Sequence, residues 1–265
     1  MTPVRLIALF ALASALAAAG IDASAQKAAP PKEGATYEPS VGQAGKDVVW
    51  VPTPQALVDK MLDMAKATPS DYVMDLGSGD GRTVITAAKR GIRALGVEYD
   101  PNMVALSKRN AQKEGVAGRA KFVKADLFKT DLSKASVITM FLMPAINLKL
   151  RPRILNLKPG TRIVSNTFDM ADWEADEKVT LDASSACEGY CTARLWIVPA
   201  KVAGTHKTRQ GELRLKQEFQ KLTGTLRSGG KDIPVEGKVL GKEVLLVAEG
   251  RELRGKVKGR KVVLG

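Results

Sequence analysis

The residues whose types and spacing could do chemistry begin with Asp75-Leu76-Gly77-Ser78-Gly79-Asp80-Gly81-Arg82. Glycines at alternate positions let a backbone turn sharply and approach a ligand with no Cβ in the way. An acid, Glu98, follows Gly77 by 21 residues. That is close to the separation at which α/β sheet proteins place a carboxylate on a ribose diol. The chemistry this pattern serves is the holding of a nucleoside-bearing cofactor.

The elements needed to position these residues are legible around them. From Pro54, apolar residues at Leu57, Val58, Met61, Leu62, Met64 and Ala65 predict a one-sided helix. Tyr72–Leu76 reads as the strand that enters the glycine loop, and a helix follows from about Arg82 to Arg90. Ala94–Glu98 reads as a strand with the acid at its end. Pro101 suits the first turn of a helix reaching Glu114. Strands are expected at Lys121–Lys124, Val137–Leu142 and Arg162–Asn166, with a helix at Asn147–Asn156 and a late antiparallel strand holding Trp196 in the core. Strands alternating with helices imply a parallel sheet covered on both faces, with ligands beyond the carboxyl ends of the strands.

A dinucleotide loop would place a glycine five positions after the first, whereas Gly81 lies four after Gly77. A helix also precedes the loop's strand. Both departures favour S-adenosyl-L-methionine (SAM) over NAD. The alternative is a set of glycines that serve only a tight turn.

With Gly96-Val97-Glu98 and Ala125-Asp126-Leu127, this loop resembles those of class I SAM-dependent methyltransferases. More narrowly, the chain resembles the mitochondrial protein-lysine methyltransferases that modify the ATP synthase c-subunit and the adenine nucleotide translocase. The shared features are Val51-Pro52-Thr53-Pro54, Phe141-Leu142-Met143-Pro144, and a Phe168 to Trp173 segment, within residues 48–175. The resemblance implies a Rossmann-like class I methyltransferase sheet with helices on both faces. It also implies that Gly77, Ser78 and Gly79 cradle the methionine end of SAM, with Asp75 supporting its amino group. By the same resemblance, Glu98 accepts from the ribose hydroxyls and Asp126 from the adenine amine. Tyr99 either flanks the adenine or is simply an exposed strand-end tyrosine.

No catalytic acid or base is assigned; Phe141 and Pro144 are the candidates for the substrate mouth. Enzymes that methylate a planar base amine typically place Asn or Asp followed by prolines after the fourth strand, and this chain has Phe141-Leu142-Met143-Pro144 there. An aliphatic amine needs only to lose its proton, which an apolar mouth promotes by desolvation. The expected partner is therefore a protein lysine, with no specific nucleic acid. The competing view of Phe141 and Met143 is strand-end core. A small-molecule acceptor, or an exported binding protein that kept the fold without catalysis, are the alternatives.

Composition bounds the rest. The chain has 265 residues, 45% hydrophobic and 26% charged, with a net charge of +13. These values fit a globular protein with a core and exclude collagen, wholesale disorder and a polytopic membrane protein. Two cysteines exclude a four-cysteine zinc site, and a lone histidine, His206, argues against a His-rich metal centre. No metal is expected. His206 lies in a polar stretch and is expected on the surface.

Arg5, the apolar run Leu6–Gly20 and Ala23-Ser24-Ala25 before Gln26 form the three-part pattern of a secretory signal. The run is shorter than the roughly 20 residues a membrane span needs. Residues 1–25 are read as a signal peptide, so the mature chain is expected in the periplasm with no transmembrane span. Residues 26–47 are read as a flexible linker, 48–200 as the methyltransferase domain, and 201–265 as a basic module. In an oxidising compartment, Cys187 and Cys191 either close a short disulfide or are two small buried residues on neighbouring strands.

Residues 201–265 hold 16 Lys/Arg and 7 Asp/Glu, a net of +9. Three segments there share apolar-x-Gly-x-apolar: Leu222–Leu226, Val235–Val239 and Leu253–Val257. In a strand this puts a glycine between two inward apolar residues, predicting a small antiparallel module. Its outward Lys238, Arg254 and Lys256 either contact an anionic surface or simply keep the module soluble.

Overall fold

Val73 and Met74 are adjacent and both buried, yet they belong to different cores, because successive strand residues point to opposite faces. That alternation organises residues 37–265, which the structure, a computed structural model, describes with the exception of Ala186. Helix α1 (Gln55–Met64) leads into β1 (Tyr72–Leu76), then α2 (Arg82–Lys89), β2 (Arg93–Glu98), α3 (Pro101–Lys113), β3 (Ala120–Lys124) and β4 (Val137–Met140). There follow α4 (Pro144–Ile154), β5 (Arg162–Asn166), β6 (Glu177–Thr180) and β7 (Thr192–Ile197). The sheet order is β3-β2-β1-β4-β5-β7-β6. Strands β1 to β5 run parallel, and β7 is antiparallel to β5 and β6.

One core packs α1 and α2 against the sheet through Leu57, Met61 and Val84; the other packs α4 through Leu150 and Ile154 against Ile138, Trp173 and Trp196. Trp196 is fully buried, as expected. Asp100 caps α3 by accepting the Asn102 N–H at 2.8 Å, and Pro101 fills the first turn. Helix α4 starts at Pro144, three residues before its expected start. The reason is the same: a proline's fixed φ is preorganised for a helical first turn. Strand β4 accordingly stops at Met140, short of the expected Leu142.

Beyond Ala200, β8 (Gly204–Thr208), β9 (Gly211–Glu218), β10 (Lys221–Ser228), β11 (Lys231–Leu240), β12 (Glu243–Ala248), β13 (Arg251–Lys258) and β14 (Lys261–Leu264) form an antiparallel meander with its own core. The three repeated glycines have a visible purpose. A Cβ on Gly224, Gly237 or Gly255 would lie 1.9, 2.0 or 2.6 Å from the carbonyl oxygen of Arg214, Leu245 or Val263 on the adjoining strand. Strand backbones approach at these points more closely than any side chain allows.

His206 is not on the surface: it is 6% exposed. Its Nδ1 accepts the Val262 N–H at 3.3 Å and its Nε2 donates to the Val202 carbonyl at 2.8 Å. The ring thus ties β8 to β14, curling the meander toward a barrel. A polar strand in which one residue faces inward hides its core position from a composition-based reading, and two backbone partners offset the cost of burying the ring.

The meander abuts the first sheet. Ala200 N–H donates to the Gly241 carbonyl at 2.7 Å, Gln220 Nε2 donates to the Glu174 carbonyl at 2.8 Å, and Phe219 stacks on Trp173 with ring centroids 5.9 Å apart.

Candidate functional site

Strand order reverses beside β1, with β2 on one side and β4 on the other, and this is where a parallel sheet opens a crevice at its carboxyl edge. The glycine loop at the end of β1 is tied to the end of β2. Gly77 and Ser78 donate their N–H groups to the Val97 carbonyl at 2.9 and 3.2 Å, and Gly79 N–H donates to Glu98 Oε2 at 2.9 Å. Glu98 Oε1 also accepts the Tyr99 and Asp100 N–H groups at 2.7 and 3.0 Å. Gly79 has φ +54°, and a Cβ there would meet Trp50 Nε1 at 2.8 Å. Glycine is required by the turn and by the close approach together.

The resulting cleft holds about 820 Å³ with its open mouth included, and Gly77, Gly79, Glu98, Tyr99, Asp126 and Phe141 line it. Its size and mixed lining suit a small organic ligand. Asp75 and Ser78 line a smaller adjoining cavity with Trp50, Thr53 and Thr83. Pro144 lines neither cavity nor the apolar recess beside them; it is exposed at the start of α4. Phe141 is half-buried and Met143 is 48% exposed, so Met143 is not core.

Asp75 is buried, and Thr139 Oγ1 donates to its Oδ1 at 2.6 Å. Burial pushes its pKa up to about 7; the Thr139 hydrogen bond opposes this, and the charges of Glu98 and Asp80 reinforce it. Asp126 behaves oppositely. Its carboxyl is held below the ordinary range, first by the Phe128 N–H, which donates to Oδ1 at 2.8 Å, and then by Lys46.

Several residues at the site escape a motif reading. Residues 42–50, inside or next to the segment read as a linker, form a hairpin turn. Gly42 N–H donates to the Trp50 carbonyl, Trp50 N–H to Gln43, and Gly45 N–H to Val48, at 2.8 to 2.9 Å. This turn walls the cleft, and its Lys46 Nζ lies 3.5 Å from Asp126 Oδ2 and 4.7 Å from the Tyr99 ring centre. Arg82 pins the chain after the turn to the loop, pairing with Asp80 at 2.7 Å and donating to the Thr53 carbonyl at 2.9 Å. Thr139, a lone hydroxyl in an otherwise apolar strand, was the one available signal for a buried partner to Asp75.

Cys187 and Cys191 are joined in a disulfide. On the outer face of the meander, Arg254 pairs with Glu252 at 2.8 Å and Lys256 with Glu243 at 3.3 Å.

Likeness to known proteins is concentrated in the sheet that carries this cleft. Residues 75–177 match the ANTKMT methyltransferase domain family. A protein-lysine N-methyltransferase from Saccharolobus islandicus is 44% identical over 138 residues, which is 51% of this chain and 86% of that protein. The chain belongs to this family of SAM-dependent methyltransferases. The human lysine N-methyltransferase of the ATP synthase c-subunit is 35% identical over 128 residues, 48% of this chain and 54% of the human protein. A crystal structure described as an RNA methyltransferase from Salinibacter ruber, in complex with S-adenosyl-L-homocysteine, shares 44% identity with a TM-score of 0.53. The alignment covers 57% of this chain and 96% of that one. The methyltransferase therefore uses SAM as its cofactor, and the class I sheet carries the site. Among the described residues no helix is long and apolar enough to cross a membrane.

Proposed function

We propose that the protein transfers a methyl group from SAM to the side-chain amine of a protein lysine. One observation carries this reading. The cleft that holds Glu98 shares Val48, Val49, Val51 and Phe141 with a recess otherwise lined by Met143, Phe168 and Tyr190. An acceptor entering there meets no polar clamp for a planar base.

The donor set fits the cofactor. Gly77, Ser78 and Gly79 cradle its methionine end, and Glu98 at the end of β2 accepts from the ribose hydroxyls. Asp126 accepts from the adenine amine, Tyr99 flanks the ring, and Asp75 faces the ammonium. SAM, when bound, supplies a methyl carbon on a sulfonium. The chain's part is to hold the acceptor in line and to exclude water. A lysine drawn into an apolar recess loses the solvation of its charged form, which lowers its pKa and favours the neutral nucleophile.

Supplying SAM labelled on its methyl group, together with mixed protein and RNA, tests the reading. Label on lysine after protein digestion supports it; label on nucleosides overturns it. The RNA acceptor is the second reading because the Salinibacter relative is described as an RNA methyltransferase.

Export belongs to the proposal. Its support is the sequence pattern of residues 1–25, which lie outside the described residues, and the Cys187–Cys191 disulfide, since such bonds persist in oxidising compartments. A periplasmic form whose mass begins at Gln26 supports export, and retention of residues 1–25 counts against it. Arg254 and Lys256 are ion-paired within the meander, which favours their solubilising role over contact with an anionic surface.

A further inference from the structure

Three aromatic rings from three separate loops meet at the recess beside the cofactor cleft. Phe141 follows β4, Phe168 follows β5, and Tyr190 precedes β7. Ring centres are 5.9 Å apart for Phe141 and Phe168, 5.1 Å for Phe141 and Tyr190, and 6.1 Å for Phe168 and Tyr190. Val48, Val49 and Met143 complete the walls, and none of the described residues that line the recess carries a charge.

Tyr190 differs from the other two rings in how it is held. Phe141 immediately follows the end of β4, and Phe168 lies two residues beyond the end of β5. Tyr190 sits in an exposed loop, is itself 42% exposed, and immediately precedes Cys191. The loop is closed at its base by the Cys187–Cys191 disulfide, whose two cysteines are buried in the core beneath. The cross-link therefore fixes the point from which the ring reaches over to Phe141. Without it, the short loop with its Gly189 would have to hold an exposed aromatic in place with few other contacts.

We infer that Tyr190 is a substrate-positioning residue: the disulfide-closed loop holds its ring against Phe141 and Phe168 to form a three-ring mouth that takes a slender alkylammonium side chain. The inference rests on the lysine reading above and names the part of the chain that recognises the acceptor. At the exposed rim the aromatic faces attract the cationic head group as it arrives, and they pack along the aliphatic stem once the amine has passed inward and lost its proton. The mouth opens onto the cofactor cleft through the shared Val48, Val49, Val51 and Phe141, so a side chain laid across the exposed faces of the ring cluster is directed into the cleft.

The test uses the full chain with radiolabelled SAM and an array of lysine-containing peptides, followed by kinetics on the best peptide. Tyr190→Ala should raise the peptide KM about ten-fold, the worth of one ring contact to a cation, with kcat and the SAM Kd nearly unchanged. Tyr190→Phe should restore the KM, because the ring and not the hydroxyl makes the contact. The paired variant Cys187→Ser/Cys191→Ser should raise the KM in the same direction, and should add nothing in the Tyr190→Ala background. A wild-type KM in Tyr190→Ala overturns the inference. So does a cysteine effect that persists undiminished without the ring.

If the wild type labels no lysine peptide, the lysine reading fails and the mouth is judged separately. n-Butyltrimethylammonium, titrated by NMR, should then bind wild type and not Tyr190→Ala; absence of binding to wild type overturns the mouth as well.

Discussion

The N–H of Gly79 donates to Glu98 Oε2 at 2.9 Å, so the glycine loop and the acid 19 residues further on form one hydrogen-bonded unit. Glu98 has two tasks: it anchors the loop, and it presents a carboxylate to the ribose. Glu98→Ala should weaken SAM binding by about 1–3 kcal/mol, since a charge-assisted pair is lost and the Gly79, Tyr99 and Asp100 N–H groups are left without their acceptor. Glu98→Gln should fall between, because an amide keeps one acceptor oxygen but turns a donor toward donors. Calorimetric titration of folded variants with SAM measures both, and an unchanged affinity in Glu98→Ala would remove Glu98 from the cofactor site.

Asp75 makes the protein's behaviour depend on pH. Its folded-state pKa is pushed up to about 7 from 3.8, chiefly by burial, so the folded protein binds a proton that the unfolded chain releases. Stability from this group is fully present below the unfolded pKa and is lost as pH rises from about 4 through about 7. Denaturant titrations should show wild-type unfolding free energy falling over that window, with a flatter profile for Asp75→Asn. That variant keeps an oxygen to accept from Thr139. A cation beside Asp75 favours the ionised form, so SAM binding below pH 7 should release a proton, seen as a binding enthalpy that varies with the ionisation heat of the buffer. Parallel stability profiles in wild type and Asp75→Asn would refute the shift.

The sheet was largely legible in the sequence because each strand and helix carries its own local signal. Arg162–Asn166 is a short run bounded by turn residues, and it is a strand with those limits. Asp100-Pro101 announces the start of α3 through a cap and a fixed φ. The glycine loop and Glu98 could be paired from spacing alone, since both sit at the ends of adjacent parallel strands. What stayed hidden depends on tertiary contact. Lys46 and Trp50 reach the cleft only because a short turn folds back over it, and no periodicity marks such a turn. Tyr190 meets Phe141 from 49 positions further along the chain, which no local pattern records. His206 looked solvated because its two partners, Val202 and Val262, contribute backbone groups that any residue supplies.

Lys46 occupies the end of the cleft assigned to adenine. Its ammonium lies 3.5 Å from Asp126 Oδ2 and 4.7 Å from the Tyr99 ring centre, the two groups that the purine would use. Cofactor binding must therefore exchange these contacts for its own. Both are exposed and individually weak. Lys46→Ala should tighten SAM binding by about two- to five-fold, within the worth of a surface ion pair, and the gain should shrink as salt is raised, since salt already weakens the competing pair. Weaker binding in Lys46→Ala would show instead that this lysine assists the cofactor.

The meander's attachment yields the last prediction. Phe219 stacks on Trp173 at 5.9 Å, and Trp173 lies fully buried beside Trp196, 6.3 Å away, in the core shared with α4. Phe219 is half-buried, so Phe219→Ala should cost about 2 kcal/mol, less than the roughly 3–5 kcal/mol typical of a fully buried phenylalanine. The loss should appear as a lower midpoint of unfolding, with SAM affinity at about 25 °C unchanged, because none of the residues lining the cleft belongs to the meander. Removing residues 201–265 is a harsher change. It uncovers the Trp173 face and leaves the Glu174 carbonyl without the Gln220 donor. The truncated chain should unfold at lower denaturant than Phe219→Ala while still binding SAM when folded. If Phe219→Ala alone weakens SAM binding in the folded protein, the meander reaches the cofactor through Trp173 and α4, and the site is not confined to the first sheet.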